Sequence, residues 1–199
     1  MRDYPATERC NSVKKLTGTF SSIINYIAFG RPLSCAVIVN KNISLAGLMA
    51  DSHHKTVIIG SRFMPLYRLT RKISARPGFI AVEIKRNMLP VQQQSLDILV
   101  LSDGLPKKTD AVKWLKMLKQ YLKPQGIILW SHPCTDSKMG RLGRILMPFR
   151  PGIASAKSRA ELCRLTMEAG YSEVGQYITR RRGPFPWAIT TGKREMTPF

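Results

Sequence analysis

The stretch SLDILVLSDGLPKKTDAVKWLKMLKQYLKPQGIILWS, residues 95–131, decides the fold. Leu96 to Leu101 is an apolar run of strand length, rich in Leu, Ile and Val, and Ser102, Asp103 and Gly104 break it. Thr109 or Asp110 supplies a helix cap. Ala111, Leu115, Leu118 and Leu122 then recur at helical spacing, with Lys113, Lys116, Gln120 and Lys123 on the opposite side. Pro124 and Gly126 are expected to stop this helix. Ile127 to Trp130 starts a second buried strand. Two apolar strands joined by an amphipathic helix predict a right-handed crossover in a parallel sheet.

Working outward, six phrases frame this unit. They are Leu89-Pro90, Ser95-Leu96-Asp97, Leu122-Lys123-Pro124-Gln125-Gly126, Ala160-Glu161-Leu162, Ala169-Gly170-Tyr171 and Thr191-Gly192-Lys193. Together they resemble the second half of a class I S-adenosylmethionine-dependent methyltransferase of the small-molecule type 11 kind. The resemblance covers residues 55–194. It implies a Rossmann-like α/β fold: a mostly parallel twisted sheet, helices on both faces and an antiparallel edge hairpin. Ser158-x-x-Glu161 is a capping box that opens the last helix, and Gly170 closes it.

The front half departs from that pattern. The first sheet strand is expected at residues 56–59, ending at Gly60. The family places an acid late in this strand and a G-x-G-x-G turn after it, whose glycines let backbone amides approach the cofactor. Here the turn reads Gly60-Ser61-Arg62-Phe63-Met64-Pro65. Arg62 and Met64 stand where the resemblance expects glycines, and side chains of their size would fill the space of the adenosine or methionine. Residues 79–84, FIAVEI, form the next strand. If this is the second strand, Glu83 lies where the family keeps an acid for the ribose hydroxyls. If it is the third, Lys85 or Arg86 lies where an acid normally meets the adenine. The interval from Ile84 to Leu96 is too short for a helix and another full strand, so the sheet is expected to be reduced by one strand–helix unit. Asp103, just past the fourth strand, faces the expected pocket. Candidate cofactor residues are therefore Gly60, Ser61, Glu83 and Asp103.

Residues 1–50 read as an N-terminal extension to a methyltransferase-like domain at 51–199. Phe20, Ile23, Ile24 and Ile27 share one helical face, and Cys35 to Val39 reads as an added strand. No secretory signal is legible, and no apolar run approaches the roughly 18 residues of a membrane span. An intracellular location is expected, cytoplasmic or peripheral to a membrane. Cys10, Cys35, Cys134 and Cys163 are widely spaced, and the histidines make no zinc pattern with them, so no metal is expected. His132-Pro133-Cys134 brings one His and one Cys together, and a packed position is the simpler reading of that thiol than a reactive one.

Charge sets this chain apart. Its 199 residues carry 32 Lys plus Arg against 12 Asp plus Glu, a formal net charge of +20. Such an excess favours an anionic partner: a membrane surface, RNA or an acidic protein. The segment after the fifth strand interleaves Lys138, Arg141, Arg144 and Arg150 with apolar residues. Arg180, Arg181 and Arg182 precede Phe185 and Trp187 at the hairpin tip. No nucleophilic triad, carboxylate pair or phosphate loop is present, and no catalytic residue is assigned. Two functions are expected from these residues. One is a degenerate, non-catalytic methyltransferase-like protein acting as a basic binding or assembly subunit of a protein complex. The other is a divergent active enzyme that uses S-adenosylmethionine on a lipid, quinone or small-molecule acceptor.

Overall fold

In the computed structural model, residues 19–20, 22–29, 31–39, 55–60, 79–83, 89–101, 110–136, 157–179 and 187–195 are described, with 39, 60, 79–83 and 179 by backbone alone. The first helix, α1, comprises residues 19–20 and 22–28. Seven strands follow: β1 (Ser34–Val39), β2 (Lys55–Gly60), β3 (Phe79–Glu83), β4 (Leu96–Leu101), β5 (Leu122–Pro133), β6 (Tyr171–Thr179) and β7 (Trp187–Arg194). Helix α2 (Ala111–Lys119) joins β4 to β5, and α3 (Arg159–Glu168) precedes β6. All seven strands form one sheet in the order β3-β2-β1-β4-β5-β7-β6. The first five are parallel, while β7 runs antiparallel to both β5 and β6. This is the doubly wound, Rossmann-like architecture with an antiparallel edge hairpin that the crossover unit predicts.

The strands are apolar on both faces because both faces are covered. Cys35 and Val37 of β1 join Ile98 and Val100 of β4 on one face, where Phe20, Ile23, Ile24 and Ala28 of α1 pack. Ala36, Ile38, Leu99 and Leu101 point the other way, into a cluster with Trp114, Leu115 and Leu118 of α2 and with Leu162 and Leu165 of α3. The apolar face expected for residues 20–29 is thus the helical lid of one side of the core.

Helix α2 begins as the sequence indicates. Asp110 is the cap, its Oδ1 accepting from Val112 N at 2.9 Å and Lys113 N at 3.3 Å. Its end differs. The helix stops at Lys119 with Gln120 as its C-cap, and Leu122 already belongs to β5, opposite Leu96. Pro124 and Gly126 instead shape a bulge: Leu96 pairs with Leu122 and Ile98 with Ile127, so residues 123–126 loop out of register. Gln125 takes a left-handed φ of 66° there. A Cβ on Gly126 would lie 2.9 Å from Lys123 O and 3.0 Å from Leu96 O, so only glycine fits.

Asp97 holds the start of the central strands together. Its Oδ2 accepts from Ser34 N at 2.8 Å, and Lys123 Nζ lies 2.9 Å from the same oxygen. Burial raises the Asp97 pKa, but the Ser34 N–H and the Lys123 ammonium outweigh it and hold the carboxyl below the ordinary range.

Topology corrects three expectations. Ser34–Val39 is an interior strand of the sheet, hydrogen-bonded to β2 and β4 at the point where strand order reverses, and is therefore the first strand of the fold. Lys55–Gly60 is consequently the second strand and Phe79–Glu83 the third, so no strand of the parallel sheet is missing. A domain boundary at residue 50 would fall between β1 and β2, two paired neighbours. The glycine that ends β2 imitates the glycine that opens a cofactor turn, and this moved the assignment one strand along. Leu115 and Leu118 are wholly buried between α2 and the sheet. Replacing either with Ala is expected to cost about 2–5 kcal/mol, read from urea denaturation midpoints at constant slope.

Candidate functional site

Open α/β sheets take ligands outside the carboxyl ends of their strands, where the strand order reverses. Here the reversal lies between β1 and β4. The strand ends there are level: Val39 pairs with Gly60, and Gly60 with Glu83. One residue lower, Ile38 pairs with Leu101, and Leu101 with Trp130. The carboxyl ends of β1, β2 and β3 thus form one row.

Of the predicted cofactor residues, the structure brings Gly60 and Glu83 together on adjacent strands. Ser61 and Asp103 lie outside the described residues, as do Arg62 and Met64. Lys138, Arg141, Arg144, Arg150, Arg180, Arg181 and Arg182 do so too. The two assignments left open for Glu83 are now resolved: it ends the third strand. The chain leaving the true first strand reads Asn40-Lys41-Asn42-Ile43-Ser44-Leu45-Ala46, without a glycine before Gly47.

The end of β5 is built for packing. His132 is buried, with its ring edge-on to Trp130 at 6.0 Å. Its Nδ1 is 3.0 Å from Pro133 O, an acceptor, so Nδ1 carries the proton and donates. Burial pulls the His132 pKa below its usual value and keeps the ring neutral. Cys134 is also buried, and burial pushes its thiol pKa up. The thiol stays protonated and is a core group, as the packed reading expects. Beyond it, Thr135 N donates to Lys157 O at 3.1 Å and Asp136 Oδ2 accepts from Arg159 N at 2.9 Å, tying β5 to the start of α3. Ser158 caps that helix by accepting from Glu161 N at 3.1 Å, while the Glu161 carboxylate takes the Lys157 ammonium.

The described residues contain no group of three or more His, Cys, Asp or Glu able to hold a metal ion. No helix among them is long and apolar enough to cross a membrane. They carry 11 of the 32 cationic and 8 of the 12 anionic residues, which leaves +17 of the +20 on the remaining residues. Those remaining residues include the segments that follow the carboxyl ends of β1 to β6.

Comparison with solved structures decides the fold family. The CurJ carbon methyltransferase superposes with a TM-score of 0.72 at 12% identity, covering 90% of this chain and 54% of that one. The chain has the class I methyltransferase fold. A S-adenosylmethionine-dependent methyltransferase from Aquifex aeolicus matches with a TM-score of 0.62 at 14% identity, over 86% of this chain and 88% of its own. The cyclase SpnF matches with a TM-score of 0.69 at 12% identity, over 90% and 82%. The methyltransferase-like chain therefore spans about half the length of the CurJ enzyme. It also shares its fold with a cyclase, so the fold alone does not name a reaction. No family model matches the chain, and no curated protein matches it by sequence.

The Asp97–Lys123–Ser34 arrangement is a structural centre that sequence reasoning passed over. Its signal was present, since both side chains fall in the family phrases, but strand order alone shows that they meet.

His132 gives the protein an expected pH dependence. Its pKa is depressed in the folded state, so below pH 6.5 the unfolded chain binds a proton that the folded one refuses. Stability is therefore full above about pH 6.5 and falls as pH drops from there toward the folded-state value. Comparing urea midpoints at about pH 7.5 and about pH 5.5, the native protein should lose more stability than His132→Gln, whose slope in this window should be flatter.

Proposed function

We propose that this methyltransferase-like protein does not turn over and serves as a basic binding or assembly subunit. The observation that carries the reading is the pair of neighbouring strand ends of β1 and β2. The exit of β1, where glycines would let backbone amides reach the cofactor, has no glycine before Gly47. The end of β2, where an acid would take the ribose hydroxyls, is Gly60. Neither residue set fits S-adenosylmethionine, and this holds without the Arg62 and Met64 argument, which belonged to a different strand assignment. A divergent active enzyme on a lipid, quinone or small-molecule acceptor is the second reading. It is favoured by Glu83, an acidic residue whose backbone stands in register beside Gly60, one strand further out.

Titration calorimetry tests this reading. S-adenosylmethionine and S-adenosylhomocysteine should bind no tighter than about millimolar, roughly −4 kcal/mol. A micromolar dissociation constant would favour the second reading and end the first.

The partner is anionic: a membrane surface, RNA or an acidic protein. What supports this is the partition of charge, with +17 of the +20 on residues outside the neutralised framework. Strand order adds to it. Pro133, Trp187 and Thr179 are register partners, so residues 137–156 and 180–186 depart from neighbouring strand ends. Lys138, Arg141, Arg144 and Arg150 belong to the first of these stretches of sequence and Arg180, Arg181 and Arg182 to the second. Charge reversal of Arg180, Arg181 and Arg182 to Glu should lower the salt concentration at which an anionic ligand is released. Reversing Lys107, Lys108 and Lys113 removes the same charge and should lower it less. Co-sedimentation with anionic vesicles and RNA across a salt series reads the difference, and equal effects would make the charge a general surface property.

A further inference from the structure

The outer edge of the sheet beside β7 is β6, and its second half is open. Strand order ends at β6, so among the described residues one side of its backbone has no strand partner in the sheet. The first half is protected by irregularity. Register shifts between Ser172 and Gly175, and Glu173 sits at a left-handed φ of 46°. Residues 175–179 return to regular pairing with β7 and contain no Lys, Pro or other edge guard. Tyr177 is 45% exposed and Ile178 48% exposed. Consecutive strand residues point to opposite faces, so each face of β6 presents one half-exposed apolar side chain here. Two apolar side chains, one on each face, flank a row of peptide groups available for pairing.

From this corner we infer that residues 175–179 of β6 accept an extended acidic segment of a partner protein by strand addition. The inference rests on the reading of the chain as a binding subunit and names its partner's chemistry. A second copy of the chain is disfavoured as occupant because it would bring a further +20 to the same edge. Alternating backbone donors and acceptors suit another strand rather than a phosphate backbone. Acidic character follows from what borders the strand. The exposed Arg159 donates from Nε to Gln176 Oε1 at 3.3 Å, and Gln176 Nε2 donates back to Arg159 O at 2.9 Å. Gln176 Nε2 also donates to Thr190 Oγ1 of β7 at 3.2 Å, so an exposed guanidinium is held over the face of β6, a cation for a carboxylate to meet. The sequence then runs from Thr179 directly into Arg180-Arg181-Arg182.

The probe is a capped nonapeptide of alternating Val and Glu, added to the full chain labelled with ¹⁵N. Backbone shifts should concentrate in residues 175–179. Binding should weaken at least tenfold in Tyr177→Ala/Ile178→Ala, and severalfold in Arg159→Gln. A twin peptide N-methylated at every residue, which leaves neither edge a backbone donor, should not bind, and this keeps the test valid even if a protein variant misfolds. Equal binding of the methylated twin overturns the inference, as does the absence of shifts at about 1 mM peptide. So does a stronger effect on residues 175–179 from oligouridine or anionic vesicles. A S-adenosylmethionine titration on the same sample reads the non-catalytic proposal separately, so either can fail without the other.

Discussion

The ion-pair clasp at Asp97 is the constraint on which this sheet depends. A single carboxylate accepts the Ser34 N–H that opens β1 and the Lys123 ammonium that follows the start of β5, and it sits on β4 between them. Three central strands, drawn from distant parts of the chain, are thereby registered at their amino ends. The pair is partly exposed, so its Coulomb attraction is screened and its worth in stability is modest. Its effect is on register. A one-residue slip would turn every apolar side chain of β1 to the wrong face. The bulge at residues 123–126 belongs to the same device, because it lets Lys123 return toward Asp97 while Ile127 resumes pairing with Ile98.

This placement separates structure from function along the strand axis. The phrases that identify the fold, Ser95-Leu96-Asp97 and Leu122-Lys123-Pro124, meet at the amino end of the sheet. Ligand chemistry in such sheets belongs to the other end. There the chain offers Val39, Gly60 and Glu83 in a row, and the sequence segments after β1 to β6 together carry most of the net charge. A protein can thus keep the framework of a methyltransferase intact while its cofactor end changes character, because the two ends are held by different residues. At the β5–β7–β6 corner Tyr177 and Ile178 are about half exposed.

Much of the fold was legible because its signals are local. The β4–α2–β5 unit follows from apolar period, an Asp cap and two strand-length runs, and each of these acts within a few residues. The exception inside it shows the same rule. Leu122 fits the helical stripe by spacing, yet it pairs with Leu96, and a strand partner outweighs periodicity at a helix end. The site was less legible. Gly60 was assigned to the wrong strand, Glu83 was left between the second strand and the third, and Asp97 was read without its partners.

Composition and periodicity by themselves determined that the chain is an α/β domain, that α2 buries Leu115 and Leu118, and that an excess of positive charge must be accommodated. Which apolar run stands at the centre was decided only by tertiary structure. SCAVIV, KTVIIG and LDILVL are similar as strands, and nothing within six residues says which pairs with which. Pairing is a contact between residues far apart in sequence, settled by the Asp97 clasp and by two-sided burial. The identity of the residues at the switch point follows from that pairing alone.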